Sequence, residues 1–130
     1  MKKVFYLSSC SSCKKILKFW QLKSSINIVD IKKDPISKKD LESIYKIANS
    51  YEVLFNKRAQ LFRKIKKESK KISEKDYKDL ILAHYSFLKR PLLVIGEKFF
   101  TGNSKETVMD AKIELDKLCL ASIFCIFKNY

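Results

Sequence analysis

Four apolar residues, Val4-Phe5-Tyr6-Leu7, run directly into Ser8-Ser9-Cys10-Ser11-Ser12-Cys13 and then into helical periodicity. A strand that turns through Cys-x-x-Cys into a helix restricts the folds open to the chain, because the turn needs a sheet behind it and a helix beside it. Cys10 falls at the helix N-terminus. Unpaired backbone N–H groups and the positive end of the helix dipole favour thiolate over thiol there. Cys13 lies one turn later on the same face, within reach of a disulfide with Cys10.

The spacing predicts a helix over Ser11 to Lys23, with Ile16, Leu17, Phe19 and Trp20 on its apolar face. The β-branched stretch Ile26 to Ile31 reads as a strand returning beside the first through a βαβ crossover. Ser37 is placed to cap the next helix, with Asp40 three positions on and Ile36 and Leu41 as a hydrophobic staple. Leu41, Ile44, Tyr45 and Ala48 form its buried stripe. Tyr51 to Lys67 is partly helical, and Lys66 to Lys71 reads as an exposed turn. Ser73 and Asp76 open a further helix, Ile72 stapling to Tyr77, with Tyr77, Leu80, Ile81, His84 and Leu88 along one face. After Lys89-Arg90-Pro91 the periodicity changes. Leu92 to Ile95 is a short buried strand, Gly96-Glu97 a two-residue hairpin loop, and Lys98 to Thr101 its partner. Ser104 caps a last helix through Val108, Ala111, Leu115 and Leu118.

The 130 residues, 46% hydrophobic, suffice for one core and are too few for two, so residues 1–130 read as one domain. The expected fold class is α/β: a thioredoxin-like, four-stranded mixed sheet with flanking helices. A helical insertion, roughly 35–89, separates the second and third strands, and a C-terminal helix covers roughly 104–127. No signal peptide follows Met1-Lys2-Lys3, because the apolar run stops at Leu7. The apolar tail Leu118 to Phe127 is too short for a bilayer, which needs about 20 residues. It is expected to bury against the core or a second chain, and no membrane association is predicted. The expected location is the cytoplasm, where thiols stay reduced and a Cys-x-x-Cys serves redox or metal chemistry rather than stapling.

A net charge of +14 attracts phosphate in general. Only Arg58, Arg63 and Arg90 are arginine, however, and the 25 lysines are spread along the whole chain. That distribution fits a solvated surface better than a nucleic-acid stripe. Cys119 and Cys125 stand six apart on an apolar helix, which is not a zinc spacing, so they read as small hydrophobes and no metal site is assigned. His84, among Leu80, Ile81 and Leu88, reads as a satisfied core or boundary histidine. Thiol–disulfide exchange needs no histidine when the thiolate is already stabilised.

Over roughly residues 2 to 112 the sequence resembles the arsenate reductase and Spx family, glutaredoxin-related proteins with a helical insertion. Four stretches carry the resemblance: Ser8-Ser9-Cys10-Ser11-Ser12-Cys13, Leu54-Phe55-Asn56-Lys57-Arg58, Lys89-Arg90-Pro91-Leu92-Leu93-Val94, and Gly96-Glu97-Lys98 leading through Thr101-Gly102. It implies that Cys10 is the nucleophile, that Cys13 resolves the intermediate, and that Arg58 and Arg90 line the site. It also implies that Pro91 is cis and faces the thiol. The guanidinium fork suits bidentate capture of an oxyanion, which lysine cannot reproduce. Two departures are visible. Phe99-Phe100-Thr101-Gly102-Asn103 lacks the arginine that the family's arsenate reductases carry after the hairpin, and Leu7-Ser8-Ser9 replaces their His-Asn-Pro type of approach to the cysteine.

The implied function is a thiol–disulfide oxidoreductase. Its substrate would be a small disulfide, a glutathione adduct or an oxyanion, with glutathione or another thiol as electron donor and no bound cofactor. The same resemblance carries an alternative, a redox-sensing transcriptional regulator whose Cys10–Cys13 disulfide alters a surface that binds RNA polymerase. A third reading is an interaction protein dimerising through Leu118 to Phe127.

Overall fold

The computed structural model describes residues 1–68 and 71–128, except for the side chains of 66–68 and 119–128. Strand β1 (Lys2–Tyr6) leads through helix α1 (Ser11–Trp20) to β2 (Asn27–Asp30). Helices α2 (Lys38–Ala48), α3 (Gln60–Glu68) and α4 (Glu74–Ala83) follow, with 3₁₀ turns at Glu52–Leu54 and Tyr85–Phe87. The hairpin β3 (Leu92–Ile95) and β4 (Lys98–Thr101) precedes α5 (Lys105–Lys128). The sheet runs β2-β1-β3-β4. β1 and β2 are parallel, and β1–β3 and β3–β4 are antiparallel. This is the thioredoxin-like mixed sheet the sequence implied, with three helices inserted between β2 and β3.

The pleat sends alternate residues to two hydrophobic layers. Phe5, Leu92 and Val94 face the insertion and meet Leu41, Ile44, Leu54, Phe62 and Ile81. Val4, Leu93 and Ile95 face the other way and meet Trp20, Ile26, Ala111 and Leu115. β3 is therefore buried on both sides, which explains its uninterrupted apolar run. Trp20 is 1% exposed and donates its indole N–H to the Val108 carbonyl at 3.0 Å, fastening α1 to α5.

The predicted caps form. Ser37 Oγ accepts the Asp40 N–H at 3.1 Å, and Ser73 and Asp76 exchange both bonds of a capping box. Ser104 Oγ accepts the Thr107 N–H at the start of α5.

Two helices are shorter than their periodicity suggests. α1 stops at Trp20, where Gln21 takes a left-handed conformation (φ 51°) and donates its N–H to the Leu17 carbonyl; Phe19 is exposed rather than buried. α4 stops at Ala83, so His84 and Leu88 do not continue its face. His84 is extended, and its Nδ1 accepts the Ser86 N–H, capping the following 3₁₀ turn. Competition from this local cap ends the helix. Tyr51 to Lys67 divides into the first 3₁₀ turn and α3. The expected turn over Lys66 to Lys71 is corrected at its start, since Lys66 to Glu68 continue helix α3, and residues 69 and 70 lie outside the described residues; the side chains beyond Leu118, those of Cys119 and Cys125 included, also lie outside them. Among the described residues no helix is long and apolar enough to cross a membrane.

Candidate active site

The β1–α1 turn is pinned from two sides. The Cys10 N–H donates to the Leu7 carbonyl at 3.0 Å, and the Ser8 N–H donates to Asp30 Oδ1 at 3.2 Å. Asp30 pairs with Tyr6 in the sheet register, so the end of β2 holds the approach to the cysteine. Its Oδ1 also accepts the Lys32 N–H. The side chain and N–H of Ser8 outweigh desolvation and keep the Asp30 carboxyl below its ordinary range.

Cys10 is the N-cap of α1, with extended backbone (φ −98°, ψ 111°), and Cys13 lies in the first turn. Both are free thiols; Cys10 is partly exposed and Cys13 buried. Burial works against the Cys10 thiolate, yet the Cys13 N–H and thiol, the Arg90 charge and the Ser12 N–H together bring its pKa below the ordinary value. Cys13 moves the other way. Its burial, with the Cys10 sulfur beside it, raises its pKa to about 11. The ionised form is thus favoured at one sulfur and disfavoured at its neighbour.

The insertion delivers the cations. Asn56 N–H donates to the Phe87 carbonyl and Lys89 N–H to the Leu54 carbonyl, both at 2.8 Å, around an isolated Phe55–Leu88 bridge. This clamp joins the segment before Arg58 to the segment before Arg90. Asn56 tightens it, its side-chain amide donating to the Ser86 carbonyl at 3.0 Å while its Oδ1 accepts the Arg58 N–H. Arg90 is held by its own backbone, Nη1 donating to the carbonyls of Ser86 (3.1 Å) and Leu88 (3.3 Å).

Cys10, Arg58 and Arg90 line one cleft of about 1080 Å³, together with Ser9, Lys89 and Asn103. Cys13 sits behind Cys10. The Arg90–Pro91 bond is cis, as the resemblance implied, and the Pro91 ring is fully buried. Pro91 is not among the residues lining the cleft; its carbonyl accepts the Gly102 N–H at 3.1 Å and ties the hairpin exit to the Arg90 segment. The two arginines are not equivalent, since Arg90 acts electrostatically on both sulfurs while Arg58 contributes to the cleft wall. His84 also lines the cleft, its Nδ1 2.7 Å from Ser86 Oγ. Among the described residues no three His, Cys, Asp or Glu side chains gather as a metal-binding group.

Sequence reasoning missed Asp30 and Lys89. Asp30 reads as a strand end, and its grip on Ser8 depends on β1–β2 register. Lys89 stands in the sequence only as the flank of Arg90-Pro91, and its place on the cleft depends on the clamp.

Comparison with known proteins agrees with this geometry. A family model described as the ArsC family matches residues 5–111. The chain is 26% identical over 108 residues to the global transcriptional regulator Spx of Streptococcus pneumoniae (strain ATCC BAA-255 / R6), covering 81% of this chain and 80% of that one. Among solved structures it is similar to an arsenate reductase from Vibrio cholerae, with a TM-score of 0.67 at 15% identity, covering 85% and 98% of the two chains. An arsenate reductase related protein from Brucella melitensis gives a TM-score of 0.61 at 22% identity, covering 81% and 88%.

Proposed function

We propose that this chain, which belongs to the ArsC family, is a cytoplasmic thiol–disulfide oxidoreductase with Cys10 as nucleophile and Cys13 as resolving cysteine. The observation that carries this reading is the divergence of the two thiols, one lowered and the other raised to about 11, at a cleft lined by Arg58 and Arg90.

The Cys10 thiolate attacks one sulfur of a bound disulfide. A Cys10–substrate S–S bond forms, and the other half leaves as a thiolate that takes up a proton. Cys13 then attacks the Cys10 sulfur, its proton passing to the departing second thiolate. The protein becomes a Cys10–Cys13 disulfide and the substrate two thiols; two molecules of glutathione or another thiol reverse the protein's oxidation. A disulfide or glutathione adduct fits better than arsenate, because Phe99 to Asn103 supplies no guanidinium. Pro91, adjoining Arg90, helps define the site.

In the test, Cys10→Ser abolishes reduction of a small disulfide by glutathione, whereas Cys13→Ser mixed with the disulfide alone, without a reducing thiol, stops at a mixed disulfide visible by mass spectrometry. Activity retained in Cys10→Ser would overturn the assignment.

The similarity to Spx supports a second reading, a redox regulator in which the Cys10–Cys13 disulfide changes a surface that binds RNA polymerase. Capture from lysate by the oxidised and reduced protein separates the two. Polymerase retained by one redox form alone favours the switch; none in either form removes it.

A further inference from the structure

We propose that Lys89 is a specificity-determining residue, whose ammonium, laid along the side-chain-free Gly102, joins Arg58 and Arg90 to grip the carboxylates of a small thiol or disulfide. The inference rests on the exchange reading above and names the substrate chemistry that the same cleft selects.

Three observations place Lys89 in this role. Its backbone is fixed on both sides, the N–H donating to the Leu54 carbonyl at 2.8 Å and the carbonyl accepting Thr101 Oγ1 at 3.3 Å. Its side chain follows the hairpin exit. A Cβ on Gly102 would stand 3.0 Å from Lys89 Cε and 3.8 Å from Nζ, so any larger residue would push the lysine away. Gly102 also has φ +97°, a conformation that side chains other than glycine's rarely tolerate. Finally, the charge is uncompensated. Glu52 is the one carboxylate among the described lining residues, and it pairs with Lys57. Among the described residues no carboxylate forms a salt bridge with Arg58, Lys89 or Arg90.

Three cations without a carboxylate partner lining one cleft call for an anionic ligand. Arg58 comes from one segment and the adjacent Lys89 and Arg90 from another, which favours a molecule with more than one carboxylate over a compact ion held by a single fork. Lysine suits the outer contact, because a flexible stem carrying a point charge adapts to a flexible ligand where a planar guanidinium demands alignment.

The experiment uses the full chain with Cys13→Ser, so that reaction halts after one exchange. Second-order rate constants are measured for Cys10 with oxidised glutathione, bis(2-hydroxyethyl) disulfide and cystamine, which carry carboxylates, no charge and ammonium groups respectively. Each is divided by the rate of 2-mercaptoethanol with the same disulfide. The expected order is glutathione, then the neutral disulfide, then cystamine. Adding Lys89→Gln lowers the glutathione-to-cystamine ratio by about three- to fivefold, the scale of one partly exposed charge contact. Lys89→Arg retains most of the ratio, and 0.5 M salt compresses it. An unchanged ratio in Lys89→Gln overturns the proposal.

A second readout does not require chemistry. S-methylglutathione, which cannot exchange, should shift the Gly102 amide resonance of the parent protein and bind Lys89→Gln more weakly. That binding with an inert Cys10 would sink the exchange reading and leave the Lys89 contact standing. Exchange without selective binding would do the reverse.

Discussion

Cys10 and Cys13 differ by three positions and belong to one helical turn, yet their thiols titrate in opposite directions. Burial accounts for the upward shift of Cys13, whereas at Cys10 the burial effect is overcome by N–H groups, the neighbouring thiol and Arg90. Alkylation at pH 7 to 8 should therefore label Cys10 and spare Cys13. A stability consequence follows for the reduced protein. In the unfolded chain Cys13 ionises near the free-cysteine value of about 8.5, while the folded state keeps its proton to about 11. The unfolded state then binds fewer protons, so folding stability falls as pH rises through that window. Urea midpoints measured at pH 8 and 10 should show a smaller fall in Cys13→Ser than in the parent. The proposed nucleophile and its partner are legible from Cys-x-x-Cys at a strand-to-helix turn. Asp30 is not, because a carboxylate at the end of a strand acquires a partner only when two strands take register.

At the scale of elements, local chemistry was readable wherever the signal was local. Ser37, Ser73 and Ser104 all accept the N–H bonds that their spacing implies. Ser73→Ala removes one arm of the α4 capping box and should cost about 1 kcal/mol, read as a lowered urea midpoint with unchanged slope. The ends of α1 and α4 were harder to read. Apolar periodicity continues past Trp20 and past Ala83, but Gln21 turns left-handed and His84 diverts to Ser86. Neither residue type carries a strong stop signal. In both places a small backbone event overrides a longer side-chain pattern. The second event has more consequence, since ending α4 at Ala83 frees residues 84 to 90 to form the clamp with Leu54 and Asn56.

For the molecule as a whole, the order of strands and the inserted helices follow from alternation, breakers and the βαβ pattern. The meeting of Arg58 with Arg90 does not. It depends on hydrogen bonds across about thirty positions of chain, which periodicity cannot report. The sheet also divides the protein's packing into two layers, with Ile44 on the insertion side and Ile95 on the α1/α5 side. Ile→Val at either position should cost about 0.5–1.5 kcal/mol, and the double variant should equal the sum within about 0.5 kcal/mol in denaturant titrations. A marked shortfall or excess would mean that the layers communicate.

This partition bears on how such a protein can diversify. The helix that follows Cys10 is rooted through Ile16, Leu17 and Trp20 in one layer, whereas Cys10 itself packs against the other, together with the segments leading to Arg58 and Arg90. A lineage that redraws the insertion, exchanging cations and reshaping the cleft wall, leaves the anchoring of α1 intact but alters the packing around Cys10. The scaffold of the helix is held on one side of the sheet, and the sulfur and its cations share a fate on the other.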